Sequence, residues 1–315
     1  MELAGEFKLI DQYFKPLTGP EALGLADDAA VFAASPGEDV VISTDAMVEH
    51  THFLPGADAS LLARKLLRVN LSDLAAMGAR PLGYLLTLCL PKTISGDWLR
   101  AFADGLALDQ DIFKLRLWGG DTTSTRGPIV ASVTILGAVA QGQAVRRNGA
   151  RPGDLVYVTG TIGDGLLGLA AALGEIADMD GYLAGRYHLP TPRNALMLAG
   201  IAGAAMDVSD GLIQELEHLA RASSVTITVR AQDVPLSPQA ERFRDRLPRL
   251  LSGGDDYELL LTVPPAREAA LLEQAKRAGV PVTRVGWCEA GEPRVTVLDQ
   301  TGAAMTIAAT GWSHF

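Results

Sequence analysis

Hydrophobic and polar positions divide the chain into two kinds of segment that alternate along it. Some are short runs rich in β-branched residues, the pattern of buried strands, and others are longer Ala- and Leu-rich runs with the spacing of amphipathic helices. Strands are predicted at 40–44, 84–90, 115–118, 129–139, 155–158, 225–229, 257–263 and 282–285. Helices are predicted at 59–77, 98–109, 166–173, 193–200, 212–222 and 267–277. This alternation indicates a mixed α/β protein.

The pattern breaks at 142–153, where the chain becomes polar, basic and glycine-containing. Such a stretch is typical of a boundary between domains. The 315 residues are enough for two domains that each bury a core. We therefore predict an N-terminal α/β domain at 1–142 and a C-terminal α/β domain at 143–315.

Composition narrows the possible partners. The 37 acidic residues outnumber the 27 Lys and Arg and give a formal net charge of −10, which argues against a nucleic-acid-binding surface. Cys89 and Cys288 form no Cys-x-x-Cys pattern, so neither a disulfide framework nor a cysteine zinc site is indicated. The uncharged stretch 127–145 is β-branched and studded with polar residues, unlike a membrane helix, and no signal-peptide pattern is visible. We expect a cytoplasmic protein with no membrane contact.

Several aspartates stand where an apolar segment ends rather than on solvated faces. They are Asp28, Asp45, Asp121, Asp207 and Asp210. Each one alone is also the ordinary pattern of a turn or a helix cap.

Asp73 is harder to explain as a cap. In a helix at 59–77 it continues the apolar stripe of Leu66 and Val69, where a carboxylate is costly unless a cation or several donors offset it. Either the helix breaks at Ser72, or Asp73 is a metal ligand facing a cleft. Oxygen ligands without a cluster of His and Cys favour Mg²⁺ over zinc, and Mg²⁺ is commonly held together with substrate phosphates. The pattern therefore suggests a nucleoside triphosphate or another polyphosphate as substrate.

Two competing motifs are incomplete. Gly163, Gly165 and Gly168 form a G-x-G-x-x-G after a predicted strand, but no second strand ending in an acidic residue follows, so close helix packing or phosphate approach is the alternative to a dinucleotide site. His50 and His52 would share one face of a strand, as in half of a zinc hydrolase site, without further ligands in a recognisable spacing. No P-loop and no G-x-S-x-G is present.

Nine short segments, in chain order, together resemble the thiamine-monophosphate kinase family. They are LADDAAV at 25–31, STD at 43–45, EHTHF at 49–53, VNLSDLAAMGA at 69–79, GGDTT at 119–123, RNGARPGD at 147–154, MDVSDGL at 206–212, SGGDDYEL at 252–259 and GWSHF at 311–315. The resemblance implies an α/β (α+β) two-domain fold of the aminoimidazole ribonucleotide synthetase superfamily, whose N-terminal domain dimerises through its sheet. It also implies ATP-dependent phosphorylation of thiamine monophosphate to thiamine diphosphate by a homodimer.

The same resemblance implies roles for individual residues. Mg²⁺ ions would be bound by Asp28, Ser43, Thr44, Asp45, Asp73, Asp121, Asp207 and Asp210. The expected catalytic residues among them are Asp45, Asp73, Asp121 and Asp210. ATP would contact Asp104, Gly120, Arg147 and Ser209, and thiamine monophosphate would contact His52, Asp255 and Trp312.

Three positions depart from the family pattern. Ala26 and His50 stand where the family usually has glycine, so each adds a Cβ, and Asp255 stands where it usually has the longer Glu. Two other functions stay open on this sequence. One is another ATP-using enzyme of the superfamily, from purine synthesis or hydrogenase maturation, and the other is a catalytically inactive sensor of nucleotide or thiamine phosphate.

Overall fold

The chain forms two compact units, each with its own sheet and helices. A computed structural model describes residues 6–25, 29–308 and 310–312, so Ala26 and Asp28 lie outside the described residues. One unit comprises Met1–Leu74 and Ala79–Gln141, and the other comprises Ala75–Gly78 and Gly142–Phe315. The predicted mixture of helices and strands is confirmed. No helix of the described part of the chain combines the length and the apolar character needed to cross a bilayer.

The first unit is built on a four-stranded sheet. Its order is β1-β4-β2-β3, with β4 antiparallel to both neighbours and β3 parallel to β2. The strands are β1 Glu38–Val48, β2 Arg80–Pro91, β3 Arg116–Thr125 and β4 Val130–Ala140. The helices are α1 Glu6–Leu9, α2 Ala59–Ala76 and α3 Gly96–Phe113, with short helical turns at Ile10–Phe14, Lys15–Leu17 and Pro20–Leu25.

Both long helices of this unit cover the same face of the sheet. Asp73 of α2 accepts a hydrogen bond from Ser43 of β1, and Gln110 of α3 donates one to the buried hydroxyl of Tyr84 on β2. Ser43 and Tyr84 both pair with Ile135 of β4, so their side chains share one face. The other face, called the open face below, is exposed at Ile42 of β1 (63%) and Leu85 of β2 (38%), whereas Leu136 of β4 on the same face is buried.

The second unit is a six-stranded sheet with apolar clusters on both faces. Its order is β10-β7-β9-β5-β8-β6, antiparallel except for the β10–β7 pair. The strands are β5 Leu155–Thr159, β6 Ala204–Val208, β7 Thr226–Arg230, β8 Glu258–Val263, β9 Val282–Glu289 and β10 Arg294–Leu298. The helices are α4 Asp164–Ala172, α5 Tyr182–His188, α6 Leu212–Ser223, α7 Leu247–Leu251 and α8 Glu268–Ala278, with 3-10 turns at Ala231–Asp233, Ala240–Arg246 and Pro265–Arg267. Leu216 and Leu219 of α6 lie in one cluster, and Leu271 and Ala275 of α8 lie in the other.

The helix predicted at 193–200 is wrong. The segment is irregular, with Leu196 and Leu198 buried and Met197 exposed between them, which is the two-residue alternation of an extended chain. Because every residue from 195 to 199 is apolar, the sequence does not reveal that alternation. The Arg193 side chain anchors the start of the segment by donating to Glu258 of β8.

The dinucleotide-site alternative is also excluded. The strand before the G-x-G-x-x-G, β5, lies between β8 and β9 and is antiparallel to both. A dinucleotide fingerprint needs a parallel β-α-β unit.

Gly105 allows α3 to approach α2 closely. A Cβ at Gly105 would overlap the backbone oxygen of Ser60, at the start of α2. We expect Gly105→Ala to lower the free energy of unfolding by about 1–3 kcal/mol, although alanine is the better helix former. Gly185→Ala in α5 is the matched control, since nothing lies within 4 Å of a Cβ there, and it should be neutral or stabilising. Equal effects of the two substitutions in thermal unfolding would contradict this account of the helix pair.

Candidate functional site

The Ser43 and Asp73 side chains meet where β1 faces α2, and Asp45 is joined to the same helix through its backbone. The Ser43 hydroxyl donates to Asp73 Oδ2 at 2.6 Å, and the Asp45 backbone N–H donates to Asn70 Oδ1 at 3.0 Å. α2 runs without interruption from Ala59 to Ala76, which excludes the alternative of a helix break at Ser72. Asp73 is half-buried with a hydroxyl beside it, which makes this pair a set of hard oxygen donors.

Thr44 lies apart from this pair. Successive strand residues point to opposite faces, and the Thr44 hydroxyl donates to the Val133 carbonyl and accepts from Thr134 on the neighbouring strand.

Gly120 and Asp121 are on the opposite edge strand of the same sheet. β4 and β2 separate β3 from β1, which corresponds to three strand spacings, or about 14 Å. Gly120 has φ 155°, and a Cβ there would overlap the Leu86 carbonyl, so only glycine fits. Asp121, Thr87 and Thr134 line a cavity of about 660 Å³. Within one chain the sheet therefore does not bring Asp121 together with Asp45 and Asp73.

The two histidines do not form half of a zinc site. His50 lies in a turn with φ 71°, in the left-handed region that favours glycine, and His52 accepts the Val48 N–H on Nδ1 at 3.0 Å. Among the described residues, no three His, Cys, Asp or Glu side chains are grouped to hold a metal ion. Mg²⁺ sites completed by substrate phosphates need only one or two protein carboxylates, so the donors at Ser43 and Asp73 fit that ion.

Asp104, predicted to contact ATP, is exposed on α3. Gln110 of the same helix contacts Tyr84 of β2, whereas the Ser43–Asp73 pair joins β1 to α2. The structure therefore gives no geometric support for grouping it with the others.

In the second unit, Ser209, Asp210, Asp255 and Trp312 gather around the turn between β6 and α6. The Asp255 N–H donates to the Ser209 carbonyl at 2.8 Å, and the Trp312 N–H donates to the Asp210 carbonyl at 2.9 Å. The Trp312 side chain is 56% exposed beside this turn. Three segments far apart in sequence thus meet at one place.

Asp207 and Arg147 belong to the surroundings of the same turn. Asp207 is buried on β6, two residues before Ser209. Arg147 lies close enough to lower the pKa of Glu215 by its charge, and its carbonyl accepts the Ser223 hydroxyl at the end of α6. The positive group and the acidic turn are therefore held by the same helix.

Glu215 organises the turn and was missed by the sequence analysis. Its Oε1 accepts the Asp210 N–H at 3.2 Å and the Ser209 hydroxyl at 3.4 Å. Burial raises the pKa of Glu215 to about 7, and the Asp210 N–H acts in the opposite direction. Glu215 lies on the buried stripe of α6 with Leu212 and Leu216, so the criterion that singled out Asp73 would also have identified it.

The raised pKa makes stability depend on pH. Glu215 titrates near its ordinary value of 4.5 in the unfolded chain and near 7 in the folded one, so its contribution to stability is present below about pH 4.5 and is lost as the pH rises through 7. In Glu215→Gln the side chain does not ionise, so stability is not lost at this position as the pH rises. The free energy of unfolding of this variant, relative to the parent, should rise by about 3 kcal/mol between acidic pH and about pH 8.

Urea unfolding of both proteins across this pH range measures the difference. Glu217→Gln, which removes an exposed ion pair with Arg221 on the same helix, is the matched control and should have a small effect at every pH. A pH-independent offset for Glu215→Gln would contradict the buried-acid interpretation.

Family models match both units. Residues 26–139 match the AIR synthase related protein N-terminal domain, and residues 151–298 match the AIR synthase related protein C-terminal domain. Among similar curated proteins, the thiamine-monophosphate kinase of Caulobacter vibrioides is 44% identical over 98% of this chain and 90% of its own length. That of Salmonella typhimurium is 40% identical over 99% of this chain and 98% of its own.

Solved structures agree with this fold. Thiamine-monophosphate kinase from Stenotrophomonas maltophilia has a TM-score of 0.84 at 39% identity and covers 96% of this chain and 98% of its own. AaThiL complexed with AMPPCP and TMP has a TM-score of 0.79 at 31% identity and covers 99% and 97%. The hydrogenase maturation protein HypE shares only the fold, with a TM-score of 0.80 at 20% identity. The chain therefore belongs to the thiamine-monophosphate kinase family of AIR synthase related proteins.

Proposed function

We propose that the chain transfers the terminal phosphoryl group of ATP to thiamine monophosphate and releases ADP and thiamine diphosphate. The observation that carries this proposal is the near full-length identity of 44% to a thiamine-monophosphate kinase. The convergence of Ser209, Asp210, Asp255 and Trp312 at one turn supports it. We place the reaction in the cytoplasm, as the sequence predicts.

The main obstacle in this reaction is charge. The acceptor is a phosphate already ionised near neutral pH, so no strong general base is needed, but donor and acceptor repel each other. Bound Mg²⁺ would neutralise phosphate charge and align the two groups for direct in-line transfer without a phosphoenzyme. Ser43, Asp45 and Asp73 would hold Mg²⁺ in the first unit. Asp207 and Asp210 would hold Mg²⁺ in the second.

Other residues of the chain would bind and orient the substrates. Arg147 and Ser209 would contact the phosphates of ATP, where the guanidinium adds positive charge. His52 and Asp255 would contact thiamine monophosphate. The exposed indole of Trp312 suits the cationic, aromatic head of thiamine, by stacking or a cation–π contact of about 0.5–2 kcal/mol.

We also propose that the chain forms a homodimer through the open face of the four-stranded sheet. Ile42 and Leu85 on this face are 63% and 38% exposed, which is unfavourable for apolar side chains in water. Thr44 and Asp121 also belong to this face, whereas Asp45 and Asp73 are on the helix-covered one. A second copy on the open face would therefore meet predicted Mg²⁺ ligands.

The first prediction of this proposal concerns activity. The chain should release ADP from ATP and Mg²⁺ only when thiamine monophosphate is the acceptor, and Asp73→Asn should lower kcat about 100-fold or more without changing the thermal unfolding curve. Asp111→Asn on the exposed end of α3 is the matched control and should retain activity. An ADP-coupled assay measures both. Turnover with another acceptor would favour a different superfamily enzyme, and ligand binding without turnover would favour a sensor.

The second prediction concerns assembly. Ile42→Glu should convert a dimer to a monomer, because it places a charge in the proposed apolar contact. Leu108→Glu introduces the same charge at a residue of α3 that is 52% exposed, and it should leave the dimer intact. Light scattering after size-exclusion chromatography gives the masses. A dimeric Ile42→Glu variant would argue against this face as the interface.

A further inference from the structure

The loop at 253–257, which leads into β8 and carries Asp255, has an unusual backbone. Asp255 and Tyr257 adopt φ values of 69° and 50°, in the left-handed region that residues with a Cβ rarely occupy. Asp256 lies between them. Such a conformation persists only where surrounding contacts determine it.

Asp256 supplies the contacts behind the loop. Its side chain is fully buried, with Oδ2 accepting the Gly163 N–H at 2.7 Å and Oδ1 accepting the Gly165 N–H at 2.8 Å. These two donors are at the N-terminus of α4, whose N–H groups lack partners within the helix. Both carboxylate oxygens of Asp256 are thus fixed to one rigid element.

The front of the loop is attached to the turn of the predicted site. Asp255 and Tyr257 donate their N–H groups to the Ser209 and Val208 carbonyls, each at 2.8 Å. Gly165 also packs on the loop, since a Cβ there would lie 2.5 Å from the Asp255 carbonyl oxygen. The loop is therefore clamped between the β6–α6 turn and the start of α4.

A network of buried polar side chains surrounds Asp256. Arg186 donates to the Asp256 carbonyl at 3.1 Å and to Glu258 at 2.9 Å. The buried Asp164 accepts hydrogen bonds from Ser237 at 2.6 Å and Tyr182 at 2.9 Å. Burial raises the pKa of Asp256 and the charge of Asp164 acts in the same direction, whereas the N–H groups of Gly163 and Gly165 and the charge of Arg186 lower it and favour the carboxylate. Asp164, Asp256 and Glu258 thus each accept hydrogen bonds from donors of other segments.

We propose that Asp256 is a positioning residue for the thiamine-monophosphate site. Its carboxylate fixes the loop backbone to α4, so that the adjacent Asp255 is presented to the substrate, and Asp256 itself does not contact the substrate. The proposed function assigns the contact to Asp255, and this inference rests on that assignment. The Ser209 hydroxyl, assigned to ATP, is held separately by Glu215, so ATP binding should depend little on Asp256.

Asp256→Asn tests the proposal, because asparagine keeps the size but replaces one acceptor oxygen with an amide that cannot accept. KM for thiamine monophosphate should rise about 10–100-fold, and KM for ATP should change less than about threefold. In an Asp255→Ala background the same substitution should add almost nothing, because the two residues act as one unit. If the two substitutions raised KM for thiamine monophosphate independently, so that their fold-changes multiplied in the double variant, the proposal would be overturned.

Asp178→Asn is the matched control. Asp178 caps α5 in the same way, accepting the Leu183 and Ala184 N–H groups at 3.3 and 2.9 Å, but it holds no part of the loop. It should leave KM for thiamine monophosphate unchanged. An equal rise in both variants would mean that any lost cap has this effect and would overturn the proposal.

Two further measurements keep the proposal testable if Asp256→Asn folds poorly or the parent lacks kinase activity. Gly165→Ala displaces the loop without altering a charge and should reproduce the selective rise in KM. Amide hydrogen exchange should show faster exchange at Asp255 and Tyr257 in Asp256→Asn than in Asp178→Asn. Unchanged exchange would refute the positioning role. Faster exchange in a chain that does not phosphorylate thiamine monophosphate would refute the proposed function alone.

Discussion

A carboxylate that leaves water must find donors for its oxygens, and both units are organised by this requirement. In the first unit the buried Asp109 of α3 accepts a hydrogen bond from Arg68 of α2 at 2.6 Å. In the second, the buried Glu258 accepts hydrogen bonds from Thr159 of β5 at 2.7 Å and from Arg193 at 2.6 Å. Each buried acid thus connects elements far apart in sequence. Removing a donor would leave a charge that is costly to bury, so these connections are difficult to break singly.

Much of the fold could be predicted where the local pattern is strong. The strand at 129–139 and the helix at 59–77 have clear periodicity and hydrophobic content, and both appear as β4 and α2. β6 was not predicted, because its five residues Ala204–Val208 include two alanines and an aspartate and have little intrinsic preference for a strand. Its place at the edge of the sheet comes from pairing with β8, which no local pattern encodes.

The candidate site shows the same division. Asp73 was recognisable because a charge on an apolar stripe conflicts with its surroundings, and it contacts Ser43 as a polar partner. The distance between Asp45 and Asp121 was not recognisable, because strand order and register depend on non-local pairing. Asp256 was hidden for another reason. Two adjacent aspartates look equivalent in sequence, and only the folded structure shows that Asp256 is fully buried.

The loop with left-handed residues at 255 and 257 tolerates substitution differently at its two aspartates. Because the loop is held from behind by Asp256, a change of side chain at 255 alters how far the acid reaches but leaves the path of the main chain unchanged. An aspartate and a glutamate at 255 would then differ in reach alone. Position 256 has no such freedom, since a side chain one carbon longer or shorter could not accept hydrogen bonds from both N–H groups at the start of α4. Substitution of Asp255 can therefore change ligand preference, while Asp256 is needed to hold the loop.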